Sequence, residues 1–431
     1  MEKVKERKAF PFYVTRKMGL APWKYWLIRV GGILLAFLLA GIVCTILKPG
    51  TFGLFYSELI RGCFDFNDFS TVIDLLILFS YLLLVALALT PAFKMKFWNI
   101  GAEGQILFGA LASAGIAKFA SPDMPNAVVL LLCFLGGVLA GIIWSVIPTI
   151  FKAFFHTNET LFTLMLNYVA VVLSAMCIDL WDKSGHKDYG LISNGVFPEI
   201  LGNQGTIIVL FAALVFVYLF FYLKKSKHGY EMSVVGESIN TARYVGIDEK
   251  VVTIRTMIMT GGIMGLIGFL LVCAVNQSFF AEINGATIVG GKGFTGVLIA
   301  WLGHFEPVEI ALFSFLSAVM EQGTTTAASN PMINISSTQF ANICTGIFFF
   351  VIIACEFFSN YQIKRHHDKS FDAYFNEIKM VKKDRISKET NRFKRFWMWT
   401  FYYISYPVVW LIHDLNYKKS NNAQKQKGVG E

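Results

Sequence analysis

Ten apolar runs recur along this chain, most of them about twenty residues long, which is the length a helix needs to cross a bilayer. They lie at 27–47, 72–93, 100–120, 126–149, 160–180, 205–223, 253–275, 292–303, 307–322 and 338–358. Lipid-exposed backbone can satisfy its hydrogen bonds only internally, so each run is expected to be a helix. The eighth and ninth are short and separated by Gly303-His304-Phe305-Glu306-Pro307, and they read as a broken pair. Composition agrees: of 431 residues 55% are hydrophobic and only 16% charged, with mean hydropathy +0.55. A soluble domain carries about 25% charge, so a soluble enzyme is excluded. The expected fold is all-α, a polytopic membrane protein with about ten transmembrane helices in two inverted five-helix halves.

Charge sets the orientation. Residues 1–24 carry net +5 and residues 361–431 net +8, which leaves 25–360 at −4. The basic balance therefore belongs to two tails rather than to a nucleic-acid-binding face. With 1–24 placed in the cytoplasm, the later cytoplasmic loops hold Lys94, Lys96, Lys152, Lys224, Lys225 and Lys227, while Glu58, Asp65, Asp68 and Asp123 fall on the other side. That matches the Lys/Arg bias of cytoplasmic loops, and ten spans bring both termini there. Three regions follow: a basic N-terminus (1–24), a transmembrane domain (25–360) with a cytoplasmic loop at 224–252, and a basic tail (361–431). Within the tail, 396–412 is aromatic and is expected to lie in the membrane interface, because crossing would export Lys418, Lys419, Lys425 and Lys427. No cleavable signal is expected at the start. The seven cysteines form no CxxC motif, and only Cys63 lies in a polar stretch.

Two glycine-interrupted segments occupy matching places. Asn99-Ile-Gly-Ala-Glu-Gly-Gln105 opens the third span and Gly290-Gly-Lys-Gly-Phe-Thr-Gly296 opens the eighth, five spans later and hence crossing in the opposite direction. Paired, broken helices of this kind point to a substrate pathway. Asn99, Glu103, Gly104, Gln105, Thr163, Asn167 and Asn276 are its candidate lining groups, since polar side chains at membrane depth are costly without a role. Glu103 has a second reading, as a residue bonded within its own glycine turn. Gly137-xxx-Gly141 and Gly261-xxx-Gly265 read simply as close helix packing. The Gly285–Gly293 loop is not a phosphate loop, because Gly293 stands where the magnesium-binding Ser/Thr is needed. No cofactor or metal site is expected, and His304 with Glu306 reads as a polar cap at a helix break.

In the 224–252 loop, Met232, Val235, Ile239 and Ala242 recur at helical spacing, and Gly246 is placed to cap the helix. A half-polar cytoplasmic helix suits docking in a partner's groove. Asn158 and Glu159 are placed to start the fifth span. These stretches, together with Phe97–Gln105, Asn158–Tyr168, Gly229–Asp248 and Gly293–Gly303, resemble the permease subunits of bacterial ABC importers of the ribose and branched-chain amino acid class, most of all its nucleoside branch. The resemblance implies a second permease subunit, a cytoplasmic ATP-binding cassette ATPase and an extracytoplasmic substrate-binding lipoprotein as partners, in the cytoplasmic membrane with its lipid. It implies no nucleic acid and nucleosides, then simple sugars, as cargo. ATP hydrolysis would sit on a partner chain, making this one no enzyme. Glu231, Val235, Gly236, Glu237, Ala242 and Gly246 are the implied ATPase-coupling residues, although Met232 and Ser233 stand where the family usually has Arg, and Ser238 where it often has Asn. The rival is an ion-coupled secondary transporter, which needs intramembrane carboxylates that are scarce here, and a membrane scaffold is a third class.

Overall fold

The computed structural model describes residues 12–16, 22–65, 68–181, 190–192, 194–282, 285–335 and 337–365. They divide into two units. In the smaller, strands β1 (Phe12–Arg16) and β2 (Tyr361–Arg365) pair antiparallel, Phe12 opposite Arg365 and Arg16 opposite Tyr361. The aromatic segment 396–412 and the rest of the basic tail beyond 365 lie outside the described residues.

The larger unit, 22–356, is helical. Its order is α1 (Pro22–Leu47), α2 (Phe52–Phe64), α3 (Phe69–Lys94), α4 (Ala102–Phe119), α5 (Asn126–Phe155), α6 (Glu159–Trp181), α7 (Ile207–Lys225), α8 (Lys227–Glu237), α9 (Ile239–Tyr244), α10 (Glu249–Leu270), α11 (Lys292–Leu302), α12 (Pro307–Ser329) and α13 (Ser337–Asn360), with a π turn at Leu271–Val275 extending α10. Every expected span coincides with a helix. Their starts are written in side chains: Asp68 accepts from the Ser70 amide (3.1 Å), Asn158 from Leu161 (3.2 Å) and Asp248 from Lys250 (2.9 Å), each satisfying a donor the first turn leaves open. Pro307 opens α12, where a missing N–H costs nothing.

Among the described residues, seven helices are long and apolar enough to cross a membrane: α1, α3, α5, α6, α7, α10 and α13. The others expected to span, α4, α11 and α12, carry polar groups such as Glu103, Gln105, Ser314 and Glu321, or in the case of α11 run only 11 residues, about 16 Å. The seven are not equivalent. The apolar windows of α3 and α10 are each 72% buried, whereas that of α7 is 22% buried. A helix apolar all round and buried all round belongs at the centre of a bundle, so α3 and α10, which pack directly on each other, form the axis, with α4 and α5 packed on α10.

Close approach at this axis depends on missing side chains. A Cβ on Gly109 of α4 would meet the Gly265 Cα at 2.7 Å, and one on Gly141 of α5 would meet the same atom at 2.6 Å. The glycine pairs of α5 and α10 are thus packing residues, as their spacing implied. One element was not expected from the sequence. Residues 52–64, read as polar loop, form α2, which buries Phe55, Leu59 and Cys63. Gln322 of α12 fixes it by donating to the Gly62 carbonyl at 3.1 Å, while the Cys63 thiol donates to Val319. Apolar residues at i, i+4 and i+8 were present, but thirteen residues fall below the length that a search for spans detects.

Substituting Gly265 by Leu should lower the thermal unfolding midpoint of the detergent-purified protein, by an amount corresponding to about 3 kcal/mol of overpacking. Gly31→Leu, whose Cβ would meet nothing within 4 Å, serves as the comparison and should leave the midpoint nearly unchanged.

Candidate functional site

After α3 the chain folds back into the bundle. The Phe97 amide donates to Ala92 (3.0 Å) and the Asn99 amide to Phe97 (3.0 Å), and Lys96 adopts φ +59°. This reversal leaves the amides and carbonyls around the start of α4 without helical partners in apolar surroundings, where each orphan is costly. Side chains supply the partners. Asn99 and Gln105 pair amide to amide, each Nδ2 or Nε2 donating to the other's oxygen at 3.2 Å, and Asn99 Oδ1 also accepts from the Gly101 amide (3.0 Å). From α6, Thr163 Oγ1 accepts from the Ile100 amide (3.2 Å), while Asn167 accepts from the Gly104 amide and donates to the Ile100 carbonyl, both at 2.9 Å. Thr163 and Asn167 are four residues apart and so share one helix face. Gly104 is required there, since a Cβ would sit 2.9 Å from Asn167 Oδ1 and 3.1 Å from the Trp144 indole nitrogen.

Glu103 joins this segment to the other broken helix. Its Oε1 accepts from the Gly291 amide and its Oε2 from the Gly293 amide, both at 2.9 Å, with the Thr287 hydroxyl at 3.4 Å from Oε1. The sequence allowed Glu103 to be bonded within its own glycine turn, but the structure places its bonds across to the second turn, 188 and 190 residues away. A carboxylate there faces the positive end of α11 as well as that of its own helix, which explains the choice. Lys292 pairs with Glu321 of α12, and the Tyr81 hydroxyl donates to the Val289 carbonyl at 2.9 Å. The meeting point is deep. Tyr81 lies thirteen residues, about 20 Å, along α3 from Lys94 at the lysine-bearing end.

Six of the seven candidate lining residues, Asn99, Glu103, Gly104, Gln105, Thr163 and Asn167, therefore come together and are buried. Asn276 stands outside their network, donating to the Leu271 carbonyl at 3.4 Å on the π turn. The polar groups of the six are largely engaged with one another and with backbone.

At the lysine-bearing end, the single helix read across 229–248 is two. Ser238, extended at φ −158°, ends α8 and caps α9 by accepting from the Thr241 amide (3.3 Å). Met232, Val235 and Ala242 are buried in a small core with Ala92, Phe97 and Met257. Gly236 is buried so tightly that a Cβ would overlap the Lys94 carbonyl. Val235, Gly236 and Ala242 thus face the body of the protein, and Glu231 pairs with Lys227 at 3.7 Å. Glu237 and Gly246 are exposed, the latter at φ +80° with its amide on the Arg243 carbonyl (3.1 Å) as a helix-ending glycine. The outward surface is Ile239, Tyr244 and Val245, with Tyr244 93% exposed. Ile239 departs from the periodic set because the break at Ser238 turns it outward. Beside it a cavity of about 560 Å³ is lined by Met95, Phe97, Lys152, His156, Val235 and Ile239, among others.

Sequence reading missed a charged cluster at the α11–α12 turn. Arg29 of α1, 2% exposed, donates to Glu309 (3.0 Å) and Glu356 (3.2 Å) and lies 2.9 Å from His304 Nδ1. His304 also contacts Glu309 (3.2 Å) and Glu356 (3.3 Å). Glu306 does not pair with His304; it takes Lys94 (2.9 Å) and Lys224 (3.4 Å). The partners are far apart in sequence, so only Arg29, a charge inside an apolar run, carried a signal. Bonding to Glu356, opposed by burial and Arg29 and aided by Glu309, lifts the His304 imidazole above its ordinary 6.5. Its stabilising contribution is complete below that ordinary value and fades as pH rises through the raised one. The melting midpoint of the wild type should accordingly fall as pH rises above about 6.5, and His304→Gln should flatten that fall; equal slopes for the two proteins would refute the assignment.

The family model described as the permease component of branched-chain amino acid transport systems matches residues 71–354. The chain is 29% identical over 251 residues to a guanosine ABC transporter permease of Bacillus subtilis, covering 56% of this chain and 70% of that one. It is 28% identical over 258 residues to a nucleoside ABC transporter permease of Lactococcus lactis, covering 56% and 69%. A glucose ABC transporter permease of Haloferax volcanii is 28% identical over 314 residues, covering 68% and 80%. The match runs from α3 to the last turns of α13 and takes in both broken helices, Glu103 and the α8–α9 pair: the chain belongs to the family of branched-chain amino acid transport system permease components.

Proposed function

We propose that this chain is the multi-pass permease subunit of an ATP-driven importer whose cargo is a nucleoside or, next, a simple sugar. The observation that carries the reading is the buried junction of two glycine-broken helices, α4 and α11, held by Glu103. The two helices leave it in opposite directions: α11 leads to Glu306 at Lys94, while α4 leads to Ser113, which bonds the Cys133 carbonyl (3.0 Å) toward the other end. That is the relation expected of two inverted five-helix halves, with α4 and α11 third in each. On this reading ten helices cross, the three beyond the seven most apolar being shielded by protein.

The lysine-bearing end is taken as cytoplasmic, by the charge bias of the loops. There the Ile239–Tyr244–Val245 knob suits the groove of a separate ATPase, and the buried residues Val235, Gly236 and Ala242 suit a lever, since any displacement of α8 bears on the end of α3 at Lys94. Glu237 and Gly246 border the knob. A second permease subunit and an external binding protein complete the assembly, and lipid covers the exposed leucines and valines of α5, α6 and α7. The cargo named for two of the relatives is nucleoside or guanosine, and a neutral, hydroxyl-bearing solute suits a pathway bounded by amide and hydroxyl groups. The Asn99–Gln105 and Thr163–Asn167 clamp gives that boundary a fixed shape, and Asn276 belongs to its far end. Affinity then resides in the external protein, so the permease binds cargo weakly.

The test is reconstitution of the chain with its ATPase, second permease and binding protein, followed by uptake of labelled guanosine. ATP-dependent accumulation is expected, and Tyr244→Ala combined with Val245→Asp should reduce it at least about tenfold, the loss of roughly 1.4 kcal/mol of docking free energy. Accumulation by this chain alone, driven by a proton or sodium gradient, would instead establish the ion-coupled reading.

A further inference from the structure

We infer that α11 is the moving gate of this permease and that Glu103 is the positioning residue that latches it. Helix α11 is eleven residues long and hangs between two left-handed pivots. At its start Gly290 and Gly291 adopt φ +64° and +75°, and a Cβ on either would meet nothing within 4 Å. Those glycines therefore serve backbone conformation rather than packing, as a hinge requires. At its end His304 and Phe305 adopt φ +49° and +59°, two consecutive residues in a region that non-glycine residues rarely enter.

Between the pivots, α11 has smooth points of contact with its neighbours. Gly293 lies against the Glu103 backbone, 2.5 Å from a notional Cβ to the Glu103 nitrogen, and Gly296 lies against Val85 of α3. Glycine at both contacts leaves little side chain to interlock over the first turns of the helix.

Ile299, Ala300 and Leu302 bury the second half of the helix in the main core; what holds its start is electrostatic. The N-termini of α4 and α11 abut, and each carries roughly half a positive charge. Unscreened in an apolar interior they repel, and one carboxylate lies between them, each oxygen on one α11 amide. The Lys292–Glu321 pair adds no net charge to this balance. Breaking the Glu103 bonds thus does two things at once: it frees two amides and removes the counter-charge between two like poles. An arrangement that loses both together favours two discrete positions over a continuum, which is what a gate needs.

The inference rests on the transporter reading for its role in uptake, but the latch itself is measurable without it. Hydrogen exchange on the purified full chain in lipid nanodiscs, compared among wild type, Glu103→Gln and Glu103→Ala, reads α11 directly. Glutamine retains one acceptor and turns its NH2 group toward the other glycine amide, so the order of exchange in 287–302 should be Ala, then Gln, then wild type. Glu103→Ala is expected to raise it about tenfold or more, as loss of charge-assisted hydrogen bonds implies, with α5 and α10 unchanged. Unchanged exchange in 287–302 overturns the latch, and so does an equal rise in α5 and α10, which marks a residue that merely stabilises the whole fold. In the reconstituted transporter, Glu103→Ala should cut guanosine taken up per ATP hydrolysed at least tenfold while ATP turnover persists; an unaltered ratio overturns the gate. A wild-type assembly that takes up no guanosine sinks the nucleoside reading and leaves the exchange result standing.

Discussion

A helix that begins inside an apolar bundle exposes amides that water cannot reach, and two such helices begin here at the same place. Almost everything specific about this protein answers that problem. Asn167 takes the Gly104 amide, Thr163 the Ile100 amide, and Glu103 two amides of the opposite helix. The polar residues so committed could not be replaced by apolar ones of the same shape, because the backbone donors would remain. Their presence in an otherwise hydrocarbon-like chain is thus explained first by the broken helices and only then by cargo.

The two ends of the molecule are organised differently. The packing of α4, α5 and α10 is held by close approach across glycines, which has little directional freedom. The lysine-bearing end is held by a small core under α8 and α9 and by ion pairs that draw α1, α3, α7, α12 and α13 onto the single turn 303–306. Arg29 and Glu356 lie outside the residues matched to the family, and Glu309 and His304 lie within them. The cluster therefore fastens α1 to the family body. Paired, hydrogen-bonded charges of this kind are costly to break one at a time, which keeps the turn, and with it the end of α11, in a defined place.

This division suits a permease component driven from outside. On the function proposed, a force applied at Tyr244 would meet the packed residues Val235 and Gly236, then the end of α3, which runs past α11 to Tyr81 and the junction. The path begins at the close approach of Gly236 to the Lys94 carbonyl and ends at the Tyr81 hydroxyl on the Val289 carbonyl, within an interior packed densely enough to transmit displacement.

Much of this was legible in the residues. Run length located ten helices, although α5 and α12 continue six and seven residues past their expected ends, and caps such as Asp68, Asn158 and Asp248 fix starts because they act over single turns. The glycine pairs declared close packing, and the matched segments at 99–105 and 290–296 marked the two helix starts that meet at Glu103. Three things were not legible. α2 hid because its apolar face is short. The break at Ser238, which turns Ile239 outward and leaves Val235 and Gly236 facing inward, hid because periodicity continues across it. The partners of Arg29 and Glu103 hid because they lie roughly 190 to 330 residues away in the chain. Local free energies, summed over a turn or two, are a property of the sequence and determined where the helices begin and end. Which carboxylate answers which orphaned amide depends on distances through space, and only the assembled bundle, bringing two positive helix ends against one acid, could decide it.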